Sequence, residues 1–334
     1  MKILFFSTRS YDKIEFRKQL PNYENLEVVF TETSLNTNTA IMAKGYDAIC
    51  IFTCDNAKDE ATIRTLAQEG VKTIALRCAG FDNVNEELAS ELGITVIRVP
   101  SYSPESIAEH AMTLALASNA HIVTASNRLK TKNFSLVGLS RFCLHGKTAG
   151  IVGYGKIGKH LAKICHGYGM EVVAYDPHFL RNGEEDKTKS VDLKTLYTRS
   201  DFIFLTTILN ESTHHMINKK TIKLMKDDVV LVNVSRGGLI KTEDLIKALK
   251  DGKFFAVGLD VYEGEDENVF TNHEDDIRMK PVVLRELSSF DNVVITSHQA
   301  FLTDDALKQI AITTLDNLAK IDMGLKPDQR CIVE

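Results

Sequence analysis

"AGIVGYGKIGKHLAK", residues Ala149 to Lys163, decides how the rest of the chain is read. A short apolar run ends in Gly153-x-Gly155-x-x-Gly158, and a basic, helix-competent stretch follows. A strand that turns on glycine into a helix is one way to hold a dinucleotide. Gly153 permits the tight turn, Gly155 lets the backbone approach a pyrophosphate, and Gly158 lets the helix pack close, with the helix N-terminus facing the phosphates. Asp176 stands eighteen residues after Gly158, at the end of "EVVAYD". An acid at that distance hydrogen-bonds the adenosine ribose and repels a 2′-phosphate. Pro177 and His178 follow it rather than an arginine, so NAD is expected over NADP. Tyr154, Gly155, Lys156, Ile157 and Asp176 are the cofactor contacts this reading predicts.

Chains with this motif commonly open on it, whereas here about 150 residues precede it. Those residues have their own pattern. "MKILFFS" (1–7), "YDAICIF" (46–52), "VKTIALRC" (71–78) and "ITVIRV" (94–99) read as buried strands, and "KDEATIRTLAQEG" (58–70) and "VNEELASELG" (84–93) have helical spacing. Strands alternating with helices imply a parallel sheet covered on both faces. In "PSYSPESIAEHAMTLALASNAHIVTASNRLK" (100–130), Ser103 before Pro104, with Ser106 and Glu109 in capping-box spacing, marks a helix start. That helix is apolar or small on most sides, which predicts burial at a domain or subunit interface.

From Lys147 the alternation resumes, with strand-like runs at 148–155, 171–176, 202–207, 229–235, 255–262 and 292–298. The amphipathic segment 304–321 then has no strand left to follow, so it is expected to cross back onto the first domain. The fold class that results is α/β with two doubly wound parallel-sheet domains. A Rossmann cofactor domain, 101–298, is inserted into a flavodoxin-like substrate domain, 1–100 and 299–334.

Composition excludes several classes. The 334 residues suit two domains, and a net charge of −5 gives no basic excess for nucleic acid or an anionic membrane. The apolar run Ile3–Phe6 is too short for a signal peptide and no long apolar stretch follows, so a cytoplasmic location is expected. The six cysteines form no CxxC, and no Cys/His spacing indicates a metal; His110, His214 and His215 read as loop or helix-face histidines.

Three polar groupings close apolar strands in the cofactor domain. Arg236 follows "VVLVNVS" and precedes Gly237–Gly238, Asp260 and Glu265 close "FAVGLDVYEGE", and His298 closes "NVVITSH". Strand C-termini are where a doubly wound sheet presents its ligands. Beside a nicotinamide, this set suits reduction of a 2-keto acid, which needs a guanidinium for carboxylate and ketone, a proton donor, and a partner for that donor.

At this point the chain resembles the D-2-hydroxyacid dehydrogenases, and within them the bacterial fermentative D-lactate branch. The resemblance runs through "ALRCAGFDNVN" (75–85), "RVPSYSPESIAEHA" (98–111), "GKTAGIVGYGKIG" (146–158), "VNVSRGGLI" (232–240), "LDVYEGE" (259–265) and "SHQAFLTDDAL" (297–307). It implies that Arg236 binds the substrate carboxylate, that His298 is the general acid and base, and that Glu265 pairs with His298. It further implies that Asp260 contacts the nicotinamide end, and that Thr207, Ile208 and Val234 line the cofactor. Cys78, Ala79 and Gly80 would cradle the carboxylate through their backbone, with Tyr102 and Phe301 shaping the pocket. The implied reaction is reduction of pyruvate to D-lactate by NADH in a homodimer or homotetramer. A relative acting on a larger keto acid and a non-enzymatic NAD-sensing protein are the alternatives. Relatives commonly carry HxPLT after the strand "DFIFLTT"; here Thr206 and Ile208 stand in place of the His and Pro.

Overall fold

Short β-branched runs become parallel strands in the computed structural model, which describes residues 1–179, 186–265, 270 and 282–333. The chain divides into two compact units, Met1–Ser103 with Leu302–Glu334, and Pro104–Phe301. Each junction falls three residues beyond the position expected from sequence.

The first unit carries β1 (Lys2–Phe5), β2 (Glu27–Phe30), β3 (Ala48–Ile51), β4 (Thr73–Leu76) and β5 (Thr95–Arg98). Their order is β2-β1-β3-β4-β5 and every pairing is parallel. The second unit carries β6 (Thr148–Val152), β7 (Glu171–Tyr175), β8 (Lys189–Ser190), β9 (Phe202–Leu205), β10 (Val229–Asn233), β11 (Phe254–Leu259) and β12 (Val293–Ile295). Their order is β12-β11-β10-β9-β6-β7-β8, again all parallel. The strand order reverses between β6 and β9, and a doubly wound sheet presents its ligand crevice beyond the C-terminal strand ends at such a switch, where the glycine turn lies.

Two strands escape the sequence pattern. Both β2 and β8 lie at sheet edges, β2 alternating exposed with half-buried residues and β8 exposed throughout. An edge strand needs no continuous apolar run, because one side meets water. Central strands such as β3, β4, β6, β9 and β10 are buried at every residue, and these are the ones the pattern reveals.

The stretch 100–130 forms two helices, Pro104–Asn119 and Ile122–Lys130, broken where His121 takes a left-handed backbone with φ of 50°. Proline occupies the first helical position, and Ser106 and Glu109 lie inside the helix rather than at its cap. The apolarity of Pro104–Asn119 serves its own unit. It packs on the helix Lys156–Gly167 and on β10, β11 and β12, burying Ala111, Met112, Leu114 and Ala115. The expected domain or subunit interface is therefore not what buries this face.

Helix Asp304–Asp322 returns to the first unit, where it packs on helix Ser10–Gln19 and on β4. Its C-terminal end is tied by the Met1 ammonium to Asp322 at 3.0 Å, and Tyr23 donates to Asp316 at 2.7 Å. Val333 N–H then bonds Val96 O at 3.0 Å. The cofactor motif lies mid-chain because the first unit is closed by the chain's last helix. Among the described residues no helix is long and apolar enough to cross a membrane, and no disulfide joins the cysteines.

Leu315 is fully buried on the returning helix. Leu315→Ala should cost the first unit about 2–5 kcal/mol. A thermal melt followed by far-ultraviolet circular dichroism checks this, and an unchanged melt would mean that the helix does not stabilise that unit.

Candidate active site

The glycine turn is built by close approach. Gly153 has φ of 95°, and a Cβ there would lie 2.6 Å from Thr207 N. A Cβ on Gly158 would collide with Gly153 O, so only glycine lets the helix start this near the turn. Gly155 caps the helix Lys156–Gly167, and a Cβ there would meet nothing within 4 Å. Open space faces the free N–H groups of a helix start, and a pyrophosphate fits that cradle. The Thr206 hydroxyl bonds Gly153 O at 2.8 Å and Val152 O at 3.2 Å, tying β9 to the turn.

Other expected cofactor contacts divide by exposure. Asp176 lies at the end of β7, where its carboxylate accepts the N–H of Tyr154 at 2.7 Å and of His178 at 2.8 Å. That arrangement fixes the acid beside the glycine turn. Tyr154 itself turns inward. Its ring stacks on Phe179 at 4.7 Å and its hydroxyl bonds Asp186 and Thr188, so only its backbone faces the turn. The Val234 side chain is likewise buried, whereas Lys156 is exposed, Ile157 and Thr207 are half-buried, and Ile208 is 71% exposed.

Arg236, Glu265 and His298 follow the C-terminal ends of β10, β11 and β12, three adjacent parallel strands. Asn233, fully buried at the end of β10, donates to Arg236 O at 2.8 Å, and Ser235 Oγ bonds Thr207 O. Arg236 Nη1 donates to Ser235 O at 2.9 Å. Gly237 lies so close to Tyr262 and Glu263 that any Cβ would strike their backbone. The arginine turn is thereby seated against the loop that carries Glu265.

Glu265 is buried, and its Oε1 lies 3.0 Å from His298 Nδ1 while Oε2 accepts Tyr262 N–H at 3.2 Å. His298 has a left-handed backbone, φ of 51°, and its N–H bonds Asp260 O at 2.8 Å. Such a conformation is costly for a non-glycine residue and persists only where surroundings enforce it. With Nδ1 on the carboxylate, Nε2 has no hydrogen-bond partner among the described residues. Phe301 is buried, with its ring edge-on to Phe270, whose centroid lies 5.8 Å from that of His298.

Asp260, expected at the nicotinamide end, lies just past β11. Its side chain is fully buried. One oxygen accepts Thr296 Oγ1 at 2.5 Å, Gln299 N–H at 2.9 Å and His110 Nε2 at 3.2 Å; the other accepts Ala300 N–H at 2.9 Å. These bonds tie Asp260 to the turn that holds His298. Burial alone would push this carboxyl up, but the bonds from His110, Thr296 and Ala300 outweigh it and hold Asp260 below the usual carboxylate range. Sequence reading missed His110, Thr296, Asn233 and Ser235. The partners of His110, Thr296 and Ser235 lie on other elements, Asn233 bonds its own turn, and only His110 stood out by residue type.

In the first unit, Cys78 is buried just past β4, and its Sγ approaches Gly80 O at 3.2 Å. Ala79 O accepts Arg98 Nη1 at 2.6 Å, and Val99 N–H bonds Cys78 O at 3.1 Å. Arg77, fully buried, anchors the strand end through Ser7 O at 2.9 Å and over the Phe52 ring at 4.9 Å. Ala79, Gly80 and Tyr102 are half-buried.

Residues 112–300 match the family described as D-isomer specific 2-hydroxyacid dehydrogenase, NAD binding domain. The chain is 42% identical to the D-lactate dehydrogenase of Escherichia coli, over 97% of its own length and 98% of that protein's. Among solved structures, the pyruvate reductase of Chlamydomonas reinhardtii superposes with a TM-score of 0.89 at 39% identity, covering 98% of each chain. The NAD-complexed D-isomer specific 2-hydroxyacid dehydrogenase of Lactobacillus delbrueckii ssp. bulgaricus superposes at 0.80 with 29% identity, covering each chain entirely.

Asp260→Asn keeps the shape of the buried acid but turns an amide N–H₂ toward donors. It should cost about 1–3 kcal/mol of stability at neutral pH. Because the folded carboxyl is held low, its contribution is present above the unfolded value near 3.9 and is lost as pH falls through the folded one. The gap between wild type and Asp260→Asn in denaturant melts should therefore close below about pH 4. A gap that stays constant from neutral to acid pH would mean the charge of Asp260 stabilises nothing.

Proposed function

The chain belongs to the D-isomer specific 2-hydroxyacid dehydrogenase family and is an NAD-dependent oxidoreductase, and from that premise we propose that it reduces pyruvate reversibly to D-lactate. The observation that carries this reading is the His298–Glu265 pair at a strand end next to that of Arg236. NADH, when bound at the glycine turn, supplies the hydride that C2 of the keto acid accepts. Arg236 presents a planar fork of donors suited to a carboxylate and a neighbouring ketone oxygen. Glu265 holds Nδ1–H and fixes the ring, which leaves Nε2 to serve the substrate. In reduction, Nε2–H gives its proton to the ketone oxygen as C2 becomes a secondary alcohol. In oxidation, Nε2 takes that proton back. Asp176 is the ribose ligand, and Thr207 and Ile208 flank the cofactor.

The substrate is tested by following NADH absorbance with pyruvate and with longer, branched and dicarboxylic 2-keto acids. Pyruvate should have the highest kcat/KM. A larger keto acid favoured by about tenfold or more would overturn the assignment, since one methylene in a pocket is worth about that. Arg236→Lys keeps the charge and loses the fork. It should lose about 2–4 kcal/mol of transition-state binding, roughly 30- to 900-fold in kcat/KM, with NADH affinity almost unchanged. Wild-type kcat/KM in that variant would remove Arg236 from the substrate site.

A further inference from the structure

Besides the His298 pair, one group of metal-ligating side chains gathers among the described residues. His214, His215 and Glu263 each offer a ligand atom, and these atoms lie within 4.8 Å of one another. His215 Nε2 is 2.6 Å from Glu263 Oε1, and the rings of His214 and His215 stack with centroids 3.8 Å apart at 29°. Neighbours in an extended chain point to opposite sides. Here His215 takes a left-handed backbone, φ of 51°, and both imidazoles fall on one side. The turn is held from behind by His214 N–H on Asn210 O, His215 N–H on Gly238 O, and Asn218 Nδ2 on His215 O, each at 2.8 Å. Glu263 Oε2 accepts Thr242 N–H at 3.3 Å, which aims the other oxygen at the histidines.

A His215–Glu263 hydrogen bond alone would explain two tethered loops. It does not explain a second imidazole stacked on the first, exposed, with no hydrogen-bond partner among the described residues. We propose that His214, His215 and Glu263 form a binding site for a divalent transition-metal ion of the zinc class. Two imidazole nitrogens and one carboxylate oxygen suit Zn²⁺ or Co²⁺, whereas Mg²⁺ and Ca²⁺ take sets of oxygens. Tetrahedral bonds of about 2.0–2.1 Å place ligand atoms roughly 3.4 Å apart, inside the spread seen here. Water completes the fourth position. The ion takes the place of the proton shared by His215 and Glu263, and that proton leaves to solvent. Spacing along the chain conceals the site, because Glu263 lies 48 residues beyond His215.

The test uses the full chain stripped of metal, titrated with Zn²⁺ by calorimetry and with Co²⁺ by visible absorption. His214→Ala and Glu263→Gln are the comparisons; the first removes an exposed ring, and its metal-free melting temperature serves as the check on folding. Wild type should bind one Zn²⁺ with a dissociation constant on the order of micromolar, show Co²⁺ ligand-field bands, and melt higher with Zn²⁺ present. Both variants should bind at least tenfold more weakly, lose the bands and lose the thermal shift. Equal affinity in wild type and His214→Ala, or no stoichiometric binding by wild type, would overturn the site. None of these readouts depends on the keto acid reaction.

Discussion

The buried carboxylate of Asp260 is the interaction on which the arrangement of the second unit rests. Taking a charge out of water costs several kcal/mol, and four donors converge to offset it. Each charge-assisted bond is worth about 1.5–3 kcal/mol. The donors come from three places: His110 on a helix, Thr296 just past β12, and the Gln299–Ala300 backbone. One acid therefore joins the helix that opens the unit to the turn that closes it. His298 sits inside that turn with its N–H on Asp260 O, and its left-handed backbone is held there from both sides.

Glycine works alongside this acid by subtraction. At Gly153 and Gly158 the missing side chain lets a strand, a turn and a helix meet at a distance no other residue allows. At Gly237 it lets the arginine turn rest on the loop bearing Glu265. Both are local packing devices with a chemical result. The first leaves backbone N–H groups facing open space, and the second brings the ends of β10 and β11 together.

Much of this was legible in the amino-acid order, and for a physical reason. Strands buried on both faces must be apolar throughout, so β3, β4, β6, β9 and β10 announce themselves. The glycine spacing and Asp176 are equally local signals. Edge strands β2 and β8 are not announced, because water satisfies one side of them. Asp260 was visible as an acid at a strand end, but its donors were not, because they lie as far away in sequence as His110. The apolar helix Pro104–Asn119 looked like an interface because its composition records burial without recording against what. Arg77 passed unnoticed for a similar reason: a fully buried arginine is unusual, but its burial is a property of the fold and not of its neighbours in the chain.

The returning helix has a consequence for how the chain comes off the ribosome. The strands of the first unit emerge early, yet the helix that covers β4 and the helix Ser10–Gln19 is made only after the whole inserted unit. Synthesis runs at about 5–20 residues per second, so an incomplete first unit waits some ten seconds or more with apolar surface uncovered. The inserted unit, whose contacts are continuous in sequence, has no such delay. Nascent-chain quality control would meet this protein as a finished cofactor domain carried on an unfinished one, and the early segment is where a chaperone would bind.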